Sequence, residues 1–110
     1  GVASFHGIDI NQISHALSFL HYNHLAPLKL RPIAIGKNKI DMDILDRLDV
    51  EKITALKQLP PLIKAYIRLG GYVGNGASID ADFNSIDVCL IMDTKNMSEK
   101  YKKLYSQGVN

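Results

Sequence analysis

The chain has 110 residues, 46% of them hydrophobic, and a formal net charge of +2 at pH 7, which fits one small globular domain and does not favour nucleic acid as a partner. The single cysteine, Cys89, excludes an internal disulfide and a thiolate zinc cluster, and we expect it to pack in the core. No run of residues approaches the ~18–20 apolar residues of a membrane-spanning helix.

The front of the chain predicts a strand and then a helix. Val2 to Phe5 is typical of the end of a strand whose earlier part is missing, so we expect a fragment. Asp9, with Gln12 three residues later, indicates a helix start. His21 and His24 have a spacing that a metal site can use, but no carboxylate or cysteine is near them in sequence, and a polar helix face is the preferred interpretation. The apolar stripe of this helix comprises Ile10, Ile13, Ala16, Leu17, Phe19 and Leu20.

The middle of the chain is less regular. Residues 28–40 contain Pro32 and several basic residues, and they do not predict a continuous helix. Asp49 is expected to cap a short helix that runs to Gln58, with Ile53 and Leu56 facing inward. Near the end of the chain, Ser98 is expected to cap a final basic helix.

The most informative stretch runs from Leu59 to Met92. Pro60–Pro61 opens a helix, because proline suits the first helical turn, and Gly70–Gly71 ends it. Asn75–Gly76 is a turn signal, and the glycines here follow a helix, so they do not form a dinucleotide-binding fingerprint. The predicted apolar stripe of this helix comprises Leu62, Ala65, Tyr66 and Leu69.

A polar segment, Asp80 to Asp87, precedes the apolar run Val88 to Met92. The run predicts a strand buried on both faces, and polar side chains at the mouth of such a strand often build a site. Two interpretations of the carboxylates Asp80, Asp82 and Asp87 stay open. They form turns and caps, or one of them orients an amine or transfers a proton beside a thioester.

Three basic residues on the helices predicted before and after Pro60 also have two interpretations. Lys57, Lys64 and Arg68 form either a solvated face or a contact surface for an acidic partner. The second interpretation rests on charge complementarity, because Lys64 and Arg68 lie one helical turn apart.

Two segments resemble the C-terminal half of the bacterial ornithine N-acyltransferases. They are ASFHGIDINQISHALSFLHYNHLAP at residues 3–27 and LPPLIKAYIRLGGYVGNGASIDADFNSIDVCLIM at residues 59–92. The second is specific, because the LPPL opening, the Arg-Leu-Gly turn, the Gly-x-Gly and the Asp-Phe-Asn-x-x-Asp run occur in the same order. Residues 28–56 match poorly.

The resemblance implies an α/β chain that forms the C-terminal portion of a GCN5-related N-acyltransferase fold, with a mixed sheet flanked by helices. Residues 1–110 would be the C-terminal part of a single acyltransferase domain. The front half, which carries the phosphate-binding loop in the wider fold, would be absent. We therefore expect this chain alone to be inactive.

The activity implied by the resemblance is transfer of a 3-hydroxyacyl chain from acyl carrier protein to the α-amine of ornithine, giving lyso-ornithine lipid. The amine attacks directly, and no cofactor is expected beyond the phosphopantetheine thioester of the carrier. The implied partners are acyl carrier protein, ornithine, the membrane surface and a downstream O-acyltransferase. The implied location is the cytoplasm, with peripheral contact at the inner membrane face.

The site residues are assigned on the same basis. Asp82 and Asp87 are the catalytic candidates, and Asp80, Asn84 and Ser85 are the substrate-binding candidates, because a carboxylate can bind the side-chain ammonium of ornithine or orient its α-amine. The candidates for carrier-protein binding are Lys57, Lys64 and Arg68. No metal is expected.

Two alternatives stay open. A non-catalytic docking module for acyl carrier protein or a membrane surface would use the same basic helix faces. A related N-acyltransferase, such as a homoserine lactone synthase, would use the same acyl donor with a different acceptor.

Overall fold

The computed structural model describes residues 1–31, 34 and 38–92. This part of the chain contains both strands and helices, so the predicted α/β class is confirmed. The final helix expected from Ser98 lies outside the described residues. The elements in chain order are β1 (Val2–His6), a 3-10 turn (Ile10–Ile13), α1 (Ser14–Asn23), β2 (Lys39–Ile40), a 3-10 turn (Arg47–Asp49), α2 (Lys52–Gln58), α3 (Pro61–Arg68), β3 (Tyr72–Asp80) and β4 (Ser85–Ile91).

The four strands form one sheet in the order β1-β4-β3-β2, and neighbouring strands are antiparallel. β4 is therefore an inner strand of the sheet, and it forms a hairpin with β3. The end of α1 is also tied to β3, through a parallel bridge between Leu25 and Val73. There the Val73 N–H donates to the His24 carbonyl at 2.8 Å, and the Ala26 N–H donates to the Val73 carbonyl at 2.9 Å.

The core lies between one face of the sheet and the helices. Alternate residues of the strands supply the sheet side of it, because successive side chains of a strand point to opposite faces. The stripe predicted for the first helix is confirmed over α1, where Ala16, Leu17, Phe19 and Leu20 are buried. The buried strand residues are Ala3, Phe5, Val73, Ala77, Ile86, Val88 and Leu90.

The starts of the helices were predicted with mixed success. Asp9 accepts a hydrogen bond from the Asn11 N–H at 3.0 Å, so it does cap the 3-10 turn that leads into α1. Asp49 does not cap α2, contrary to the prediction: it ends a 3-10 turn, and Glu51 stands at the N-cap of α2. α3 begins at Pro61, as predicted, with Pro60 before it.

The inward faces of α2 and α3 were predicted correctly only in part. Leu56 and Tyr66 pack against the core, as expected, but neither is the buried residue of its helix. In α2 the buried residue is Ala55, whereas Ile53 is 72% exposed. In α3 the buried residue is Ile63, and Leu62, which was expected to face inward, is 56% exposed. Both helices are only two turns long, so more than one apolar spacing fits the helical period and packing decides which face is buried.

Asn75–Gly76 is not a turn, contrary to the sequence prediction, but part of β3. Gly76 has a φ of +91°, and the register of β3 against β4 shifts between Val73 and Ala77. A residue with positive φ inside a strand is typical of a bulge. The positive φ that glycine readily adopts therefore forms a bulge within a long strand here, and not a turn between two elements.

The polar segment from Asp80 to Asp87 is a hairpin and not a long loop. Asp80 ends β3, residues 81–84 form the turn, and β4 begins at Ser85, three residues earlier than predicted. The prediction of a strand buried on both faces is wrong. One face of β4 is buried, and Asp87 and Cys89 lie partly buried on the other.

Candidate functional site

The face of the sheet opposite the core carries a row of polar residues across all four strands. Ser4 of β1 pairs directly with Asp87 of β4, Asp87 pairs with Ser78 of β3, and Ser78 pairs with Lys39 of β2. Residues directly opposite one another in neighbouring strands share a face and lie side by side. We call Ser4, Asp87, Ser78 and Lys39 the polar row.

Asp87 is held in place by two hydroxyl groups. Ser4 Oγ donates to Asp87 Oδ1 at 2.6 Å, and Ser85 Oγ donates to the same oxygen at 2.9 Å. Short O–H···O⁻ bonds of this kind are charge-assisted and stronger than neutral ones. Because both donors use Oδ1, the Oδ2 oxygen of Asp87 accepts no hydrogen bond within the described part of the chain.

A cavity of about 330 Å³ opens beside this carboxylate. Small residues shape it, and a Cβ added at Gly76 would stand 3.1 Å from Ala34 Cβ and 3.6 Å from Lys39 Cε. Asp87 is the one charged residue among the described lining residues. Cys89 also lines this cavity, so the expectation that it packs in the core is wrong. The lining residues are Val2, Ala34, Gly74, Gly76, Ser78, Asp87, Val88 and Cys89.

The structure separates the five predicted acidic-segment residues into two groups. Asp87 and Ser85 come together at the cavity. Asp80 Oδ1 instead accepts from the Phe83 N–H at 3.2 Å, within the hairpin turn. Asn84, with a φ of +51°, offers its carbonyl to the Gly7 N–H at 2.6 Å. Asp82 is exposed in the turn and does not line the cavity.

Sequence reasoning missed Ser4, Ser78 and Lys39. Their positions in the chain are far apart, and only the strand register places them next to Asp87. One local signal was present in β1, where the polar residues Ser4 and His6 alternate with buried Ala3 and Phe5. That alternation marks a strand with one face outside the core.

Two of the three predicted basic residues line a second hollow, of about 520 Å³, beside α2 and α3. Lys64 and Arg68 line it, one turn apart, whereas Lys57 is exposed near the end of α2 and does not line it. None of the three forms an ion pair within the described residues. We call this hollow the basic groove; its lining residues are Leu56, Pro61, Lys64, Ala65, Ile67 and Arg68.

The histidines do not form a metal site in the part of the chain that the structure describes, where no three His, Cys, Asp or Glu side chains are grouped for one. The His24 ring lies 5.3 Å from the Phe19 ring. Burial, and then the positive charge of Lys52, lower the pKa of His24. Within the described ranges, no helix is long and apolar enough to cross a membrane.

The chain is similar over nearly its whole length to proteins named L-ornithine N(alpha)-acyltransferase, which confirms the resemblance expected from its motifs. It is 49% identical over 109 residues to the protein of Rhodobacter capsulatus. It is 36% identical over 105 residues to that of Agrobacterium fabrum, and 36% identical over 110 residues to that of Brucella abortus. The chain spans 36–41% of the length of these relatives. No protein-family model and no solved structure matches it.

Proposed function

We propose that this chain, similar as it is to L-ornithine N(alpha)-acyltransferases, is part of an enzyme that acylates the α-amine of ornithine. The observation that carries the proposal is the 49% identity to one such protein across 99% of the chain. The donor we propose is a 3-hydroxyacyl acyl carrier protein, and the product is lyso-ornithine lipid. The thioester of the carrier is a co-substrate, and no separate cofactor is needed.

The reaction sets clear demands on the protein. The nitrogen of the α-amine bonds to the thioester carbonyl carbon, the carbon–sulfur bond breaks, and the amine loses a proton while the carrier thiol gains one. The enzyme must hold the amine close to the carbonyl and stabilise the charge that develops on the carbonyl oxygen. Asp87, anchored by Ser4 and Ser85 beside a cavity, supports a role in holding the cationic acceptor. We propose Asp80, Asp82 and Asn84 only as parts of the hairpin that supports this strand.

The basic groove supports the choice of an acidic donor protein. Acyl carrier proteins are acidic, and Lys64 and Arg68 present positive charge beside the apolar residues Leu56 and Ile67. Charge complementarity increases the rate of encounter, and apolar contacts add affinity that salt does not screen. Lys57, exposed near the end of α2, extends the same positive surface.

The alternatives are separated by what each one predicts. The basic groove by itself also fits a docking module that binds carrier protein without catalysis. A homoserine lactone synthase is less well supported, because the four relatives that match carry the ornithine name.

The product of the proposed reaction is a lipid, so we also propose a location at the inner membrane face, where an O-acyltransferase would act on it.

The test uses the full-length gene product that contains this sequence. The purified protein is incubated with 3-hydroxyacyl acyl carrier protein and ornithine, and the products are identified by mass spectrometry. We expect one N-acylornithine for each carrier thiol released. Binding of the carrier without transfer would support the docking module, and acylation of a different amine in preference to ornithine would overturn the proposed acceptor.

A further inference from the structure

The carboxylate of Asp87 is arranged for a cation that the described part of the chain does not supply. Its Oδ1 oxygen receives both hydroxyl hydrogen bonds, at 2.6 and 2.9 Å. No lysine or arginine forms an ion pair with it among the described residues. A partly buried carboxylate loses hydration, and a bound cation restores the lost interaction.

The cavity beside Asp87 has the size and chemistry of a site for a small aliphatic ligand. Its volume of about 330 Å³ is at the lower end of the ~300–1,000 Å³ range of small-molecule sites. Val2, Ala34 and Gly74 contribute apolar or backbone surface, which suits methylene groups. A ligand with a short hydrocarbon chain and a terminal ammonium group fits these surroundings.

The β2 end of the polar row carries a positive charge. Lys39 is two strands away from Asp87, so their Cα atoms are ~9–10 Å apart at the usual spacing of neighbouring strands. Lys39 does not itself line the cavity. Its side chain passes beside the lining residue Gly76, because Lys39 Cε lies 3.6 Å from the position of a Cβ on Gly76. The row therefore presents a carboxylate on β4 and, two strands away, an ammonium on β2.

We propose that the cavity receives the amino-acid acceptor, with its side-chain ammonium on Asp87 Oδ2 and its α-carboxylate towards Lys39. This inference rests on the proposed function and adds to it an orientation for the substrate. Ser4 and Ser85 are positioning residues, since they hold the carboxylate and do not touch the ligand. The α-amine then lies between the two charged side chains, free to meet the acyl carbonyl.

The experiment compares ornithine with norvaline, which has the same three side-chain carbons and no ammonium. Specificity constants are measured for both amino acids with the full-length gene product and its Asp87→Asn variant. Asparagine keeps an oxygen for the two serine hydroxyls and removes the charge. We expect the wild type to prefer ornithine ~10- to 100-fold, the range for a lost hydrogen bond to a charged group. In Asp87→Asn this preference should disappear, because the specificity constant for ornithine falls and that for norvaline does not change.

The second arm of the experiment tests Lys39. Lys39→Gln should lower the specificity constant for ornithine ~10-fold or more and leave that for ornithinamide, which lacks the α-carboxylate, nearly unchanged. Asp43→Asn and Lys29→Gln are matched controls, because both residues are exposed and neither lines the cavity. These controls should behave as the wild type with every substrate.

Two outcomes distinguish this inference from the proposed function. If Asp87→Asn lowers activity with ornithine and norvaline equally, Asp87 acts on the α-amine or on the fold and the proposed orientation is wrong, although ornithine is still the acceptor. If the wild type acylates neither amino acid, the proposed function fails. Titration calorimetry then decides the inference separately: it requires ornithine binding that norvaline lacks and that Asp87→Asn abolishes.

Discussion

The polar row and the basic groove are built in opposite ways. The polar row joins residues 4, 39, 78 and 87, and the backbone ladder of four strands sets their spacing. The basic groove is made by residues 56–68, which are near one another in the chain, and its charges sit on long side chains. A carboxylate held by two hydroxyls selects a ligand by geometry, whereas flexible surface cations attract a partner by charge. The two regions should therefore respond differently to substitution and to salt.

The largest effect is expected from Gly76→Ala, with Gly7→Ala as its matched control. Both glycines have a φ of +91°, but a Cβ meets Ala34 Cβ at 3.1 Å at Gly76 and nothing within 4 Å at Gly7. The backbone strain alone should lower the free energy of unfolding of each variant by ~1–2 kcal/mol. Only Gly76→Ala should lose more stability and also narrow the cavity.

Chemical denaturation and ornithine kinetics with the full-length gene product check this prediction. We expect the specificity constant for ornithine to fall at least tenfold in Gly76→Ala and to change little in Gly7→Ala. Equal stability and equal kinetics in the two variants would mean that Ala34 moves aside and that the cavity wall does not limit binding.

The next largest effect is expected at the basic groove. Reversing both charges, with Lys64→Glu and Arg68→Glu, should raise the KM for acyl carrier protein ~10-fold at low ionic strength. This factor is the lower end of the range by which electrostatic steering changes association rates. The kcat should change less, and the difference from the wild type should shrink as salt screens the surface charges. Lys29→Glu is the single-charge control. A KM that is independent of these charges across a salt series would show that the groove does not bind the donor.

A smaller effect is expected from Ser4→Ala, which removes one of the two donors to Asp87 Oδ1. The loss of a net ~1 kcal/mol, typical of one hydrogen bond, corresponds to ~5-fold in the specificity constant for ornithine. Unlike the groove variants, Ser4→Ala should show this loss at every salt concentration. Its preference for ornithine over norvaline should weaken, which a purely structural role would leave unchanged.

The smallest effect is expected from Asp82→Asn. Asp82 is exposed in the hairpin turn and does not line the cavity, and exposed substitutions of this kind usually change stability by no more than ~0.5 kcal/mol. We expect ornithine kinetics within about twofold of the wild type and an unchanged Tm. A tenfold loss of activity would return the catalytic role to this residue and would place the acceptor at the hairpin tip.

The helices and the family resemblance could be predicted because their signals are local. The apolar stripe of α1, the Asp9 cap and the Pro61 start of α3 each depend on residues within one or two turns. Ile53 and Leu62, which are exposed and not inward-facing as predicted, belong to the two shortest described α-helices. Two turns show too few repeats of the helical period to identify the buried face. Hydrophobic periodicity predicts that a segment is helical. It identifies the buried face more reliably in a longer helix, because more turns repeat the pattern.

The candidate site was predictable only in part, because a sheet is assembled from distant segments. From the sequence one can predict the α/β class, the run of apolar residues in β4 and the concentration of short polar residues before it. It takes the folded chain to show that Asp87 meets Ser4, that Gly76 lies inside a strand and does not end it, and that Lys39 completes the row. The physical reason is register: a strand has a side-chain period of two, so a shift of one residue would turn Asp87 into the core. Long-range pairing with β1 and β3 prevents that shift.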